Sequence, residues 1–131
     1  MKTLITEDDF TSRLFLQELL KDYGPTHVAV NGKEAVEAVR LALKAGEHYD
    51  LICMDIMMPK MDGQQAVREI RTLEETNGIL STYGAKIVMT TALDDPKNVI
   101  NAFESLCDAY LIKPYHKAKL LEELHKLKLI K

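Results

Sequence analysis

A chain of 131 residues buries about two-thirds of its unfolded surface around a single core, so one domain spanning residues 1–131 is expected. With 47% hydrophobic and 28% charged residues the composition is globular, and a net charge of -3 gives no electrostatic footprint for nucleic acid. Met1-Lys2-Thr3 runs straight into a strand pattern without the apolar stretch of a signal peptide, and no run approaches the roughly 20 apolar residues of a membrane span.

Strand and helix patterns alternate along the chain. Thr3-Leu-Ile-Thr6 is a short apolar run that ends in Glu7-Asp8-Asp9. Phe10, Leu14, Leu16, Leu19, Leu20 and Tyr23 follow at helical spacing, and Gly24-Pro25 stops that helix. Thr26 to Val30 alternates as a strand; Asn31 with Glu34 is a capping signal for a second helix carrying Ala35, Val36, Val39 and Leu43 to Gly46. Asp50-Leu-Ile-Cys-Met-Asp55 reads as a buried strand, broken by Met58-Pro59 and Asp62-Gly63. A third helix turns Val67, Ile70 and Leu73 inward and ends at Asn77-Gly78, after which the stretch to Gly84 has no period and reads as a surface loop. Lys86 to Thr91 is a fourth strand. Asp94-Asp95-Pro96 caps a fourth helix with Val99, Ile100, Phe103 and Leu106 as its buried stripe. Ala109 to Ile112 is a fifth strand, and a last helix carries Leu120, Leu121, Leu124 and Leu127 on one side. Cys53 and Cys107 lack metal-ligand spacing and read as core residues of a protein kept in the reducing cytoplasm.

Five strands alternating with five helices imply an α/β fold, a parallel sheet covered on both faces. Ligands of such sheets bind beyond the carboxyl ends of the strands. The residues delivered there are Glu7, Asp8 and Asp9, then Asp55, Thr91 and Lys113. Carboxylates about 5 Å apart repel by roughly 3 kcal/mol per pair at an effective dielectric near 20, so a cation among them is favoured. Oxygen-only donors suit Mg²⁺, with Mn²⁺ as its substitute. The plainer role for Glu7-Asp8-Asp9 is to cap the first helix, and Asp55 arriving at the same edge tips the balance toward a metal. Asp55 is placed to act as a nucleophile toward phosphorus, with the Thr91 hydroxyl and the Lys113 ammonium for the phosphoryl oxygens. Thr90 competes for the hydroxyl role; Thr91 is preferred because the small Ala92 follows it.

Taken together, Glu7-Asp8, Asp55 with Met58-Pro59 and Asp62-Gly63, Thr91-Ala92 and Lys113-Pro114 resemble the receiver domain of two-component response regulators. The resemblance covers almost the whole chain. It implies a CheY-like, flavodoxin-like doubly wound sheet of strand order 2-1-3-4-5 flanked by five helices. Asp55 would accept a phosphoryl group from a histidine kinase or histidine phosphotransfer protein. Glu7, Asp8, Asp55 and the backbone carbonyl of Met57 would hold Mg²⁺, Thr91 and Lys113 would bind the phosphoryl group, and Tyr110 would be the aromatic switch. Tyr110 is equally a strand aromatic packing on the fourth helix. The Lys113-Pro114 peptide would be cis. Phosphorylation would reposition the fourth helix, fifth strand and fifth helix for an unknown downstream protein. A stand-alone regulator, monomeric or weakly dimeric, is expected, with no enzyme activity beyond its own phosphoryl transfer and slow dephosphorylation.

Two departures bear on chemistry. The segment around Glu75 to Gly84 is longer than the family's usual connection. Met57 and Leu93, which flank the phosphoryl position, have no polar group to orient a hydrolytic water, so self-dephosphorylation is expected to be slow. Two other function classes fit this sequence less well. A Mg²⁺-dependent aspartate-nucleophile phosphatase uses a second Asp as general acid where this chain has Met57. A flavin carrier of the same fold needs a Ser/Thr/Gly-rich loop after the first strand, where Glu7-Asp8-Asp9 would repel its phosphate. His27, His48, His116 and His125 are scattered and read as surface or packing residues.

Overall fold

The computed structural model of the protein describes residues 1–56, 58, 61–79, 83–92 and 107–131. Its five strands are β1 (Thr3–Thr6), β2 (Thr26–Ala29), β3 (Leu51–Asp55), β4 (Lys86–Thr91) and β5 (Ala109–Ile112). All neighbours pair in parallel, in the order β2-β1-β3-β4-β5. The described helices are α1 (Phe10–Leu20), α2 (Gly32–Lys44), α3 (Gly63–Thr76) and α4 (Lys117–Lys126), the last being the final helix of the chain. The helix expected after Asp94-Asp95-Pro96, with Val99, Ile100, Phe103 and Leu106, lies outside the described residues, as do Met57 and Leu93.

Alternation along the strands splits the core into two layers. Leu4, Ile52, Met54, Ile87 and Met89 face one side and pack on Ala35 and Val39 of α2 and on Ala66, Val67 and Ile70 of α3. Ile5, Leu51, Cys53, Val88 and Leu111 face the other, against Leu16 and Leu20 of α1 and Leu120 and Leu124 of α4. Strands buried on both faces explain why the runs are almost wholly apolar. The two edge strands depart from this: β2 leaves His27 and Val28 exposed and stops at Ala29 rather than Val30, and β5 leaves Ile112 exposed.

Local chemistry sets the helix starts. Asp9, Asn31 and Asp62 precede α1, α2 and α3, and their side-chain oxygens accept the N–H groups of Ser12, Glu34 and Gln65 at 2.8, 2.9 and 2.9 Å. After α1 the chain passes a 3-10 turn and then Gly24 at φ 132°, where a Cβ would lie 2.0 Å from the carbonyl oxygen of Met1. The Thr3 N–H donates to the Pro25 carbonyl (3.0 Å), which ties the turn to the start of β1.

The apolar stripe of α1 requires a correction. Phe10 and Leu14 are 67% and 46% exposed, while Leu16 and Leu20 form the buried face. Each helical residue turns the direction by about 100°, which carries Phe10 and Leu14 roughly a quarter and two-fifths of a turn away from the line midway between Leu16 and Leu20. Their spacing was helical but belonged to the outer side.

At the amino ends of the strands, opposite the acidic edge, a second polar group closes the fold. Arg71 donates through Nη1 to Glu74 Oε1 and the Ala85 carbonyl (2.8 and 2.7 Å), and through Nη2 to Asp108 Oδ2 (2.8 Å). Glu74 Oε2 accepts the Ala85 N–H and Asp108 Oδ2 the Ile87 N–H. The connection expected as a surface loop is thus pinned at its β4 end, and α3 itself extends to Thr76. Among the described residues no helix is long and apolar enough to cross a membrane.

Candidate functional site

At the carboxyl ends of β1 and β3, single carboxylate oxygens of Glu7, Asp8 and Asp55 all lie within 4.8 Å of one another. β1 and β3 pair directly, Thr6 opposite Met54, so the residues that follow in each strand arrive side by side. The three acids after β1 divide their work. Asp9 takes the capping role on α1, and Glu7 and Asp8 turn toward Asp55. Glu7 and Asp55 are 1% and 5% exposed, whereas Asp8 faces solvent.

Lys113, just past β5, completes the group. Its Nζ donates to both carboxylate oxygens of Glu7 at 3.1 Å and stands 3.5 Å from Asp55 Oδ2. Its backbone N–H donates to the carbonyl of Thr91 (2.7 Å), so the ends of β4 and β5 are fastened together, and the Lys113–Pro114 peptide is cis. Thr91 is fully buried at the end of β4. It shares a sheet face with Tyr110, two strand positions on from Met89, while Thr90 pairs with Asp55 in register and faces the other layer. Tyr110 is half-buried and packs against the α2–α3 layer. The structure therefore brings Glu7, Asp8, Asp55 and Lys113 into contact range and places Thr91 on the strand end beside them; the Met57 carbonyl is outside the described residues. Met58 and Met61 fill space against the core, and His27 is an exposed partner of the Tyr49 hydroxyl (2.8 Å).

Burial pushes the Glu7 carboxyl up to about 7; the Asp55 charge adds to this and Lys113 opposes it. A carboxyl of ordinary value 4.5 raised in this way binds more protons folded than unfolded between those two values. Stability from this group is complete below pH 4.5 and is lost as pH rises through 7, by about 3 kcal/mol in the metal-free protein. Glu7→Gln is expected to remove that loss. Chemical denaturation in chelator at pH 5 and pH 8 checks it: the wild type should weaken relative to the variant at the higher pH, and parallel behaviour of the two would refute the expectation.

The donor set suits a small, hard cation. It consists of oxygens alone, two of the three on nearly buried side chains, and Mg²⁺ at about 2.1 Å from each ligand spans about 4 Å across its shell. Lys113 already supplies one positive charge to the same carboxylates. A cleft of about 270 Å³ lined by Thr11, Ser12 and Phe15 of α1 and by Lys113, Pro114 and Tyr115 after β5 opens beside it. The interactions that sequence reasoning missed are the Lys113–Glu7 pair, whose residues stand 106 positions apart, and the Arg13 contacts to the Glu7–Asp8 backbone.

Residues 3–125 match the family model of the response regulator receiver domain. The chain is 37% identical over 131 residues to hybrid signal transduction histidine kinase B of Dictyostelium discoideum, covering 95% of this chain but 6% of that protein. It is 32% identical over 128 residues to the chemotaxis protein CheY of Bacillus subtilis, covering 95% of each. Among solved structures, the receiver domain of the histidine kinase CKI1 from Arabidopsis thaliana, complexed with Mg²⁺ and BeF₃⁻, superposes with a TM-score of 0.82 at 27% identity, over 97% of this chain and 89% of that one. The chain thus spans a small fraction of the kinase relative and nearly all of the chemotaxis relative.

Proposed function

The chain belongs to the response regulator receiver domain family, and from that premise we propose that residues 1–131 act as one phosphorylation switch whose acceptor is Asp55. The observation that carries this is the convergence of Glu7, Asp8, Asp55 and Lys113 at one sheet edge. The Asp55 carboxylate is 5% exposed and stands 3.5 Å from Lys113, whose side chain lines the cleft beside α1. A carboxylate oxygen of Asp55 attacks the phosphorus of the donor while the bond from phosphorus to the donor's leaving group breaks, the electron pair departing with the imidazole nitrogen of a phosphohistidine or the acetate oxygen of acetyl phosphate. Lys113 then pairs with the phosphoryl oxygens in place of part of its contact with Glu7, and the Thr91 hydroxyl donates to another. Glu7, Asp8, Asp55 and the Met57 carbonyl would hold Mg²⁺, which when bound neutralises phosphoryl charge. Tyr110, on the face it shares with Thr91, is the side chain that passes the change to the β4–β5 surface. The donor is a histidine kinase or phosphotransfer protein, in keeping with the kinase and chemotaxis relatives, and the receiver performs only its own phosphoryl transfer and release.

Incubation with Mg²⁺ and acetyl phosphate, followed by intact mass and peptide mapping, tests this. One added phosphoryl group on Asp55, absent in Asp55→Asn and in chelator, is the expected result. Label on another residue, or label indifferent to chelator, would refute it.

Release should be slow, since the side chains at Met57 and Leu93 offer nothing to orient water. The double variant Met57→Asn with Leu93→Glu is expected to shorten the lifetime of the labelled species about tenfold or more, within the range of general acid–base effects. Decay followed by mass spectrometry at the wild-type rate would show that these positions do not control it.

A further inference from the structure

We propose that Arg13, steadied by Phe10, is a positioning residue for the acidic loop, holding the Glu7–Asp8 backbone so that both side chains face the cation. This rests on the metal-binding role given above to Glu7, Asp8 and Asp55. Arg13 lies one turn into α1, and its Nη1 donates to the carbonyl oxygens of Glu7 and Asp8 at 3.1 and 3.4 Å. The guanidinium reaches back over the helix start and grips the main chain of the two residues whose carboxylates meet Asp55. Its carbon stands 5.6 Å from the centroid of the Phe10 ring, on the face of an aromatic that is otherwise 67% exposed. An exposed phenylalanine at the first position of α1 is accounted for by this contact, which restricts the guanidinium to one side. The loop is thereby tied to α1 twice, by Arg13 through its carbonyls and by Asp9 through the Ser12 N–H.

Charge and position predict opposite signs. Arg13 is a cation beside an acidic loop, so as a charge alone it repels Mg²⁺ and its removal tightens binding. As a positioning group it supports the ligands, and its removal weakens binding by about tenfold, the lower end of the effect for groups that orient metal ligands.

The experiment is calorimetric titration of the full chain with Mg²⁺, alongside melting in chelator and the rate of labelling by acetyl phosphate across Mg²⁺ concentrations. Arg13→Met is expected to raise the Mg²⁺ dissociation constant about tenfold, with the labelling rate at saturating Mg²⁺ and the chelator melting midpoint close to wild type. Arg13→Lys keeps the charge without the fork and should recover only part of the affinity. Phe10→Ala, a change at an exposed side chain, should weaken binding about twofold to fivefold, as loss of an exposed cation–π contact predicts, and it serves if Arg13→Met does not fold. Unchanged or tighter Mg²⁺ binding in these variants, with the wild type binding normally, overturns this proposal alone. Absence of Mg²⁺ binding by the wild type overturns the metal site and this proposal with it.

Discussion

Arg71→Met is expected to lower the unfolding free energy by about 3–5 kcal/mol, the cost of leaving a buried charge without its partner. The side chains of Arg71 and Glu74 are 13% and 8% exposed, and their ion pair is one edge of a network that also takes in Asp108 and the backbone of Ala85 and Ile87. Without the guanidinium, Glu74 retains the Ala85 N–H among the described residues, and Asp108 loses the charge opposite it. Domains of this size are stable by about 5–15 kcal/mol, so the loss removes a large share. The exposed pair between Arg40 and Glu37 is the internal control: Arg40→Ala should cost less than about 1 kcal/mol. Urea unfolding of both variants decides the matter. A loss below 1 kcal/mol in Arg71→Met would mean that the network contributes no more than a surface pair. Because it lies at the amino ends of the strands, folded Arg71→Met should still bind Mg²⁺ as the wild type does.

Gly63→Ala is expected to disturb both stability and phosphoryl acceptance. Gly63 opens α3, and its N–H donates to the carbonyl of Ile56 at 2.9 Å. A Cβ there would sit 2.3 Å from the carbonyl oxygen of Asp55 and 2.9 Å from Ile56 Cα. Both neighbours are main chain, so no side-chain rotation relieves the overlap. The helix start or the end of β3 must move. Overpacking of this kind costs about 1–3 kcal/mol, and a backbone clash puts it at or beyond the upper end. The atom displaced belongs to the proposed phosphoacceptor, and a misplacement of about 1 Å costs on the order of a hundredfold in rate. The expected result is a lower denaturation midpoint together with labelling by acetyl phosphate slowed about a hundredfold at saturating Mg²⁺. Wild-type stability and rate in this variant would show that the close approach of α3 to β3 has slack.

The strands were legible because a parallel sheet buried on both faces demands uninterrupted apolar runs, and Leu51 to Met54 and Ile87 to Met89 have little competing pattern. The polar residue closing each run then located the edge where Glu7, Asp8, Asp55, Thr91 and Lys113 gather. Helix caps were legible at Asn31 and in the Glu7-Asp8-Asp9 run because capping is local in sequence, whereas Asp62, read only as part of a turn, also caps α3. The face of α1 was not, since Phe10 and Leu14 keep helical spacing with Leu16 and Leu20 only loosely, and apolar residues on the outer side leave no signature of their own. The Arg71–Glu74–Asp108 network was hidden for a different reason. Its Arg71–Glu74 edge is an ordinary i,i+3 pair, and the contact that gives it structural meaning joins residues 37 positions apart. Lys113 was legible as a cation at the site, but its present pairing with Glu7 depends on how β1 and β5 are spaced across the sheet.

The most direct measurement is a crystal structure of the protein soaked with Mn²⁺, whose anomalous signal locates the cation without ambiguity. One strong peak within about 2.0–2.3 Å of oxygens from Glu7, Asp8 and Asp55, with Lys113 turned off Glu7, is the predicted result. A peak elsewhere on the surface, or none at this edge with the Lys113–Glu7 pair intact, would contradict the claim that these carboxylates form a cation site beside Asp55.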